Sequence, residues 1–215
     1  MFKKIIIIGD VATGKTSVIN RYIYEKFENY SKATTTPYFH SKIVKIKGIS
    51  LQVNFWDIPG QDRNQLVTGP FARYVDGIIF CCDVNNPKSR NNLKLWEESM
   101  ASKENIENVP KIIVENKCDL LGDESNYNND INSLRLFSEE LGCVNFFRVS
   151  AKLDFNIKEA LDFLIEEIIK KITDEEIKSQ NKISIKIKKN TDEEFKSQNK
   201  ISIKNKKKSN ASCCK

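Results

Sequence analysis

A three-layer α/β fold is what this chain of 215 residues predicts: a mostly parallel six-stranded sheet with one antiparallel edge strand and helices on both faces. Three observations carry that expectation. Strand-like runs recur at residues 3–8, 42–47, 51–56, 78–82, 112–115 and 145–149, with helical patterns between them. Lys47-Gly48 is a turn signal joining the second and third runs as a hairpin, so that pair is antiparallel. The other runs are separated by helices, which makes them parallel and covers the sheet on both sides.

The first run contains Ile5, Ile6, Ile7 and Ile8 and leads directly into Gly9-Asp10-Val11-Ala12-Thr13-Gly14-Lys15-Thr16. A strand, then G-x-x-x-x-G-K-[ST], then a helical pattern is the context of a phosphate-binding P-loop. The glycines let backbone N–H groups of Val11, Ala12, Thr13 and Gly14 converge on phosphates, and the helix start, with Ser17, adds a positive dipole end. Lys15 reaches the β- and γ-phosphates, and the Thr16 hydroxyl is a ligand for Mg²⁺. The chain is therefore expected to bind a nucleoside triphosphate.

The third, fifth and sixth runs end in residues that complete such a site, as ligands in open α/β sheets lie beyond the carboxyl ends of the strands. The third is followed by Asp57-Ile58-Pro59-Gly60-Gln61. Asp57 can hold Mg²⁺ through water, and the Gly60 N–H can meet a γ-phosphate. The fifth leads into Asn116-Lys117-Cys118-Asp119. A carboxylate there accepts from the guanine N1–H and 2-amino group; adenine offers no such pair, so ATP leaves it unpaired. After the sixth, Ser150-Ala151-Lys152 can meet the guanine oxygen through backbone N–H groups. Each turn alone is ordinary surface chemistry, but in this order behind a P-loop they specify a guanine nucleotide. The last helix shows Ile157, Leu161, Leu164, Ile168 and Ile172 on one face, and Trp96 reads as core in an earlier one. Asn126 to Asn132 reads as a surface loop, and His40, the single histidine, as an exposed residue with no catalytic part.

Charge divides the chain. Residues 173–215 hold 12 Lys against 6 Asp or Glu, so the whole net charge of +6 belongs to them and residues 1–172 are neutral. The same tail is duplicated: TDEEIKSQNKISIKIKKN is followed by TDEEFKSQNKISIKNKKK, identical at 15 of 18 positions. Two copies are too few for a solenoid, and the polar composition reads as a solvated tether. No apolar stretch approaches the ~20 residues of a bilayer span, and the first isoleucine run is too short for a signal peptide. Among six cysteines there is no C-x-x-C pair; Cys81, Cys82, Cys118 and Cys143 read as small buried residues of a reduced protein.

With these motifs in place, residues 1–172 resemble the Ras-like small GTPases and, within them, the Rab family. Thr34 stands 19 residues after Lys15, the family spacing of the switch I threonine that senses Mg²⁺ and the γ-phosphate. Phe27 matches the aromatic packed against guanine. Phe39, Trp56 and Phe71 match the aromatic triad read by effectors. The wording Trp56-Asp57-Ile58-Pro59-Gly60-Gln61 and the Cys213-Cys214-Lys215 end are also Rab-like, and Ile58 resembles the branch serving lysosome-related organelles. The resemblance implies a GTPase domain over 1–172 and a hypervariable tail over 173–215, with Gln61 as the catalytic residue that orients water. It implies GTP and GDP as ligands, Mg²⁺ as cofactor, and effectors, an exchange factor and a GTPase-activating protein as partners. It further implies geranylgeranylation of Cys213 and Cys214 by way of a prenylation escort, and extraction by a GDP-dissociation inhibitor. Such a protein is a monomer without a nucleic-acid partner, lipid-anchored on the cytoplasmic face of endosomal, phagosomal or lysosome-related membranes, with a cytosolic pool. Lys204, Lys206, Lys207 and Lys208 would add attraction to an anionic surface.

The chain departs from the Rab pattern at Thr35-Thr36-Pro37-Tyr38, where Ile-Gly-Val-Asp is usual before the phenylalanine, at Pro59 in place of Ala, and at Asn64 in place of Phe. Pro59 fixes its own φ near −65° and restrains Ile58. Two alternatives follow from the residues: a GTP-binding scaffold that hydrolyses poorly, and a metabolic P-loop kinase, which would need neither the guanine motif nor a lipidated tail.

Overall fold

The computed structural model describes residues 2–30, 32–61, 71, 73–102, 105–122 and 131–174. Asn64, residues 126–130 and the tail from residue 175, with its lysines and Cys213 and Cys214, lie outside the described residues. The expected sheet is present. Strands β1 (Phe2–Ile8), β2 (Tyr38–Ile46), β3 (Ile49–Asp57), β4 (Gly77–Asp83), β5 (Lys111–Asn116) and β6 (Asn145–Arg148) lie in the order β2-β3-β1-β4-β5-β6. Only β2 and β3 pair antiparallel; the four other pairings are parallel.

Helices α1 (Lys15–Tyr24), α2 (Pro87–Asn91), α3 (Leu93–Ala101), α4 (Ile131–Glu140) and α5 (residues 157–174) connect and cover the strands, and a short 3₁₀ turn spans Cys118–Leu120. On one face, Ile6, Ile8, Ile78, Phe80 and Ile113 pack with Leu93, Trp96 and Met100 of α3 and Leu134 of α4. On the other, Tyr22 of α1 meets Phe55 edge to face at 5.6 Å, and Phe163 of α5 tilts against Phe147 at 5.5 Å. The central strands β1 and β4 are buried on both faces, which is why they read as continuous apolar runs instead of alternating ones. Each buried Ile or Leu contributes about 1.5–3 kcal/mol.

Four expectations are corrected. β2 begins at Tyr38, four residues before the run at 42–47, because Tyr38 to Ser41 keep pairing with Asp57 to Asn54 of β3. Lys47 is in the turn, with φ 49°, not in the strand. His40 is buried, at 6% exposure: it points inward from β2, its ring edge to face with Tyr38 at 4.7 Å and its Nδ1 3.2 Å from the Tyr24 hydroxyl. Burial lowers the His40 pKa, favouring the neutral ring. At the end of the asparagine-rich stretch, Ile131 and Asn132 already belong to α4.

Candidate nucleotide site

The turn from β1 to α1 is shaped by two left-handed residues, Ala12 (φ 63°) and Gly14 (φ 89°), separated by Thr13. Such alternation turns successive N–H groups toward one concavity, an anion nest. The first helical bond of α1 runs from Val18 N–H to Gly14 C=O, so the helix does not use the N–H groups of Lys15, Thr16 and Ser17. Gly14 is required for a second reason: a Cβ there would lie 2.2 Å from Asn116 Nδ2. The Lys15 ammonium donates to the carbonyls of Gly9 (2.9 Å) and Asp10 (2.8 Å), which leaves its third N–H for a phosphate oxygen. Burial lowers the Lys15 pKa, while Cys81, Asp57 and Asp10 oppose that effect.

Three hydroxyl and carboxylate groups from distant segments meet beside Lys15. The Thr16 Oγ1 donates to Asp57 Oδ2 at 2.5 Å and lies 2.8 Å from Thr34 Oγ1. The second Asp57 oxygen is buried and has no hydrogen-bond partner. Burial raises the Asp57 pKa, against the Thr16 hydrogen bond and Lys15, which lower it. Hard oxygen donors with one uncompensated carboxylate oxygen are the donor set that Mg²⁺ takes. The residues present therefore fit that ion, with Thr16 and Thr34 as hydroxyl ligands and Asp57 behind them. Held there, Mg²⁺ would supply positive charge against the phosphate oxygens of a triphosphate.

A cavity of about 710 Å³ opens from the nest. Its lining brings together Val11, Ala12, Gly14, Lys15, Thr16, Ser17, Phe27, Thr34, Gly60, Asn116, Lys117, Asp119, Ala151 and Lys152 of the expected site. Thr13 and Ser150 stand behind that wall, fully buried: the Thr13 carbonyl accepts from Asn116 Nδ2 at 3.0 Å, and Ser150 Oγ donates to Asp119 Oδ1 at 2.6 Å. Ser150 thus fixes one carboxylate oxygen of Asp119 and leaves the other for a base. The Ser150 N–H donates to Phe155 O at 3.0 Å and the Ala151 N–H to Asn116 Oδ1 at 3.1 Å, so of the N–H groups of that turn the one at Lys152 is left for a guanine oxygen. Lys117 Nζ bridges Ala12 O and Asp83 Oδ2, each at 2.7 Å.

Gln61 is exposed in a turn and does not line the cavity. Phe39, Trp56 and Phe71 do form one cluster, with ring centroids 5.3 Å apart from Phe39 to Trp56 and again from Trp56 to Phe71.

Sequence reasoning missed two supports. Arg21 of α1 donates from Nε to Ala151 O at 2.8 Å, tying the phosphate-end helix to the base-end turn. The Asp10 carboxylate, inside the P-loop, accepts from Trp96 Nε1 at 3.0 Å and from Asn92 Nδ2, and so faces away from the phosphates. Neither pairing has a local signal, since 86 residues separate Asp10 from Trp96. The charged side chains on the cavity wall are consequently Lys15, Lys32, Lys117 and Lys152 against Glu28 and Asp119.

Comparison with known proteins agrees with this geometry. The profile of the Ras family matches residues 4–170. The Ras-related protein Rab7 of Pisum sativum is 32% identical over 185 residues, covering 85% of this chain and 89% of its own length. The Ras-related protein RABG3f of Arabidopsis thaliana is 32% identical with the same coverage of each chain. The Ras-related protein Rab-32C of Dictyostelium discoideum is 34% identical over 157 residues, 73% of this chain and 69% of its own. The chain belongs to the Ras family and is, within it, a Rab-like small GTPase.

Proposed function

We propose that this chain is a GTP-operated switch of vesicle traffic, in which bound GTP holds the Thr34 segment against the P-loop and hydrolysis lets it go. The observation that carries this reading is the meeting of Thr16, Thr34 and Asp57, which links α1, the segment before β2 and the end of β3. A ligand at that junction fixes the position of a segment that also leads into Phe39. Thr16→Asn tests it. The longer amide cannot ligate Mg²⁺ equivalently from that position, so GTP affinity should fall roughly 10- to 100-fold more than GDP affinity. Equal losses in a titration of both nucleotides would argue that Thr16 senses no metal.

In this reading Gln61 orients the attacking water, and intrinsic hydrolysis is slow, on the order of 10⁻⁴ s⁻¹. No arginine is among the cavity-lining residues described, which supports a requirement for a finger supplied by a GTPase-activating protein. The second reading, a scaffold that hydrolyses poorly, is favoured by Pro59 beside Gly60, because a fixed φ restricts the approach of Gln61. Single-turnover hydrolysis with and without an activating protein separates the two.

The division into a GTPase domain over 1–172 and a tether over 173–215 is part of the same proposal, with effectors reading the Phe39–Trp56–Phe71 cluster. So is a dual lipid anchor on Cys213 and Cys214 at the cytoplasmic face of endosomal, phagosomal or lysosome-related membranes. Rab membership and Ile58 support it. One lipid chain holds marginally and two hold stably. Cys213→Ser/Cys214→Ser should move the protein wholly to the cytosol on fractionation, and retention on membranes would exclude the anchor.

A further inference from the structure

Glu115, next to last in β5, is completely buried, with 0% of its side chain exposed. A buried carboxylate is strongly disfavoured without partners. Here it has two guanidinium groups. Arg148 of β6 donates from Nε to Oε2 at 2.6 Å, and Arg90 of α2 donates from Nε to Oε1 at 3.0 Å and from Nη2 to the same oxygen. The Arg148 side chain is 2% exposed and that of Arg90 14%.

The position of this cluster matters more than its strength. Glu115 immediately precedes Asn116-Lys117-Cys118-Asp119, and Arg148 stands two residues before Ser150-Ala151-Lys152. Glu115 and Arg148 are direct partners in the β5–β6 register. The next backbone bonds, Val149 N–H to Glu115 O at 2.9 Å and Cys118 N–H to Val149 O at 3.0 Å, run straight into the two turns. Arg90 adds the connection after β4, where Asp83 accepts from Lys117. A one-residue slip between β5 and β6 would reverse every side chain that follows. A directional guanidinium–carboxylate pair adds a geometrically specific contact to the apolar pattern that already opposes such a slip.

We propose that Glu115 is a positioning residue for guanine recognition, held by Arg90 and Arg148 so that the turns at 116–119 and 150–152 address the same base. The proposal rests on the reading of the cavity as a guanine site. A cluster that only stabilised the fold would leave base selectivity untouched.

Two variants separate these roles. Arg148→Lys keeps the buried charge and loses the planar fork. The triple variant Glu115→Leu/Arg90→Met/Arg148→Met removes the ions together, a replacement that buried ion clusters often tolerate without loss of stability. Each is compared with the unaltered full-length chain for melting temperature, GDP release, and affinity for GDP against IDP, which lacks the 2-amino group. Loosened support for a binding constellation should speed GDP release about tenfold and narrow the GDP-over-IDP ratio about threefold, while Arg148→Lys keeps a cooperative melt. A folded variant of either kind whose GDP release and GDP-over-IDP ratio stay within about twofold of the unaltered chain overturns the positioning role. If the triple variant does not fold, Arg148→Lys decides alone. An unaltered chain that binds ADP as tightly as GDP would instead defeat the guanine-site reading itself.

Discussion

Gly9→Ala will cost the GTPase domain a large share of its stability. Gly9 follows the last residue of β1 with φ 145°, and a Cβ there would lie 2.0 Å from the carbonyl oxygen of Cys81 in β4. That oxygen belongs to a buried central strand and has no room to retreat, unlike the end of a flexible side chain. The added methyl must push β1 from β4 or drag the P-loop out of shape. Either response places the cost among the exceptional single-residue losses, more than about 4 kcal/mol. A domain of this size has about 5–15 kcal/mol in total. Thermal or urea unfolding of the purified variant is the check. A cooperative melt within about 5 °C of the unaltered protein, equivalent to a loss of only 1–3 kcal/mol, would show that the β1–β4 junction yields more easily than its geometry indicates.

Asp119→Asn will exchange guanine for xanthine. Ser150 Oγ donates to one Asp119 oxygen at 2.6 Å, and the amide oxygen of the variant can still accept that bond. The amide nitrogen then takes the place of the oxygen left for the base. It is a donor facing the N1–H and 2-amino donors of guanine, so two charge-assisted hydrogen bonds are lost. At about 1.5–3 kcal/mol each, GTP affinity should fall by about 10²- to 10⁴-fold. Xanthine carries an oxygen where guanine has the amino group, and an amide donor suits it. Competition between GTP and xanthosine triphosphate for the variant measures both effects at once. Undiminished GTP affinity would remove Asp119 from the base site.

The residues that speak locally were legible in the sequence, and those that act only through the fold were not. The P-loop could be read because its chemistry is contiguous: nest, helix start, Lys15 and Thr16 lie within eight residues of one another. The strands could be read because burial on both faces of β1 and β4 leaves unbroken apolar runs. The start of β2 could not. Tyr38 and Phe39 are exposed aromatics and His40 is a buried polar ring, so the inward and outward pattern inverts what hydropathy suggests. His40 was misread for the same reason, because Tyr24 and Tyr38 cover it from different elements. Glu115, Arg90 and Arg148 carry no local signal, and only the sheet order brings β5, β6 and α2 together around them. Asp10 sits inside the clearest motif of the chain, yet its partners on and beside α3 appear only once the fold is formed.

The turning of Asp10 toward Trp96 and Asn92 also bears on how fast a nucleotide arrives. With that carboxylate directed elsewhere, the cavity wall presents four lysines and two acidic side chains. Residues 1–172 as a whole are neutral, so this excess forms a local positive well on a surface with no long-range pull of its own. Diffusing polyanions are captured by such a field over roughly a Debye length, about 8–10 Å in physiological salt. Added salt should then slow association and leave release, which depends on short-range contacts, little changed. Ionic strength thereby tunes how fast an emptied site captures a nucleotide and leaves the lifetime of the occupied site to the protein.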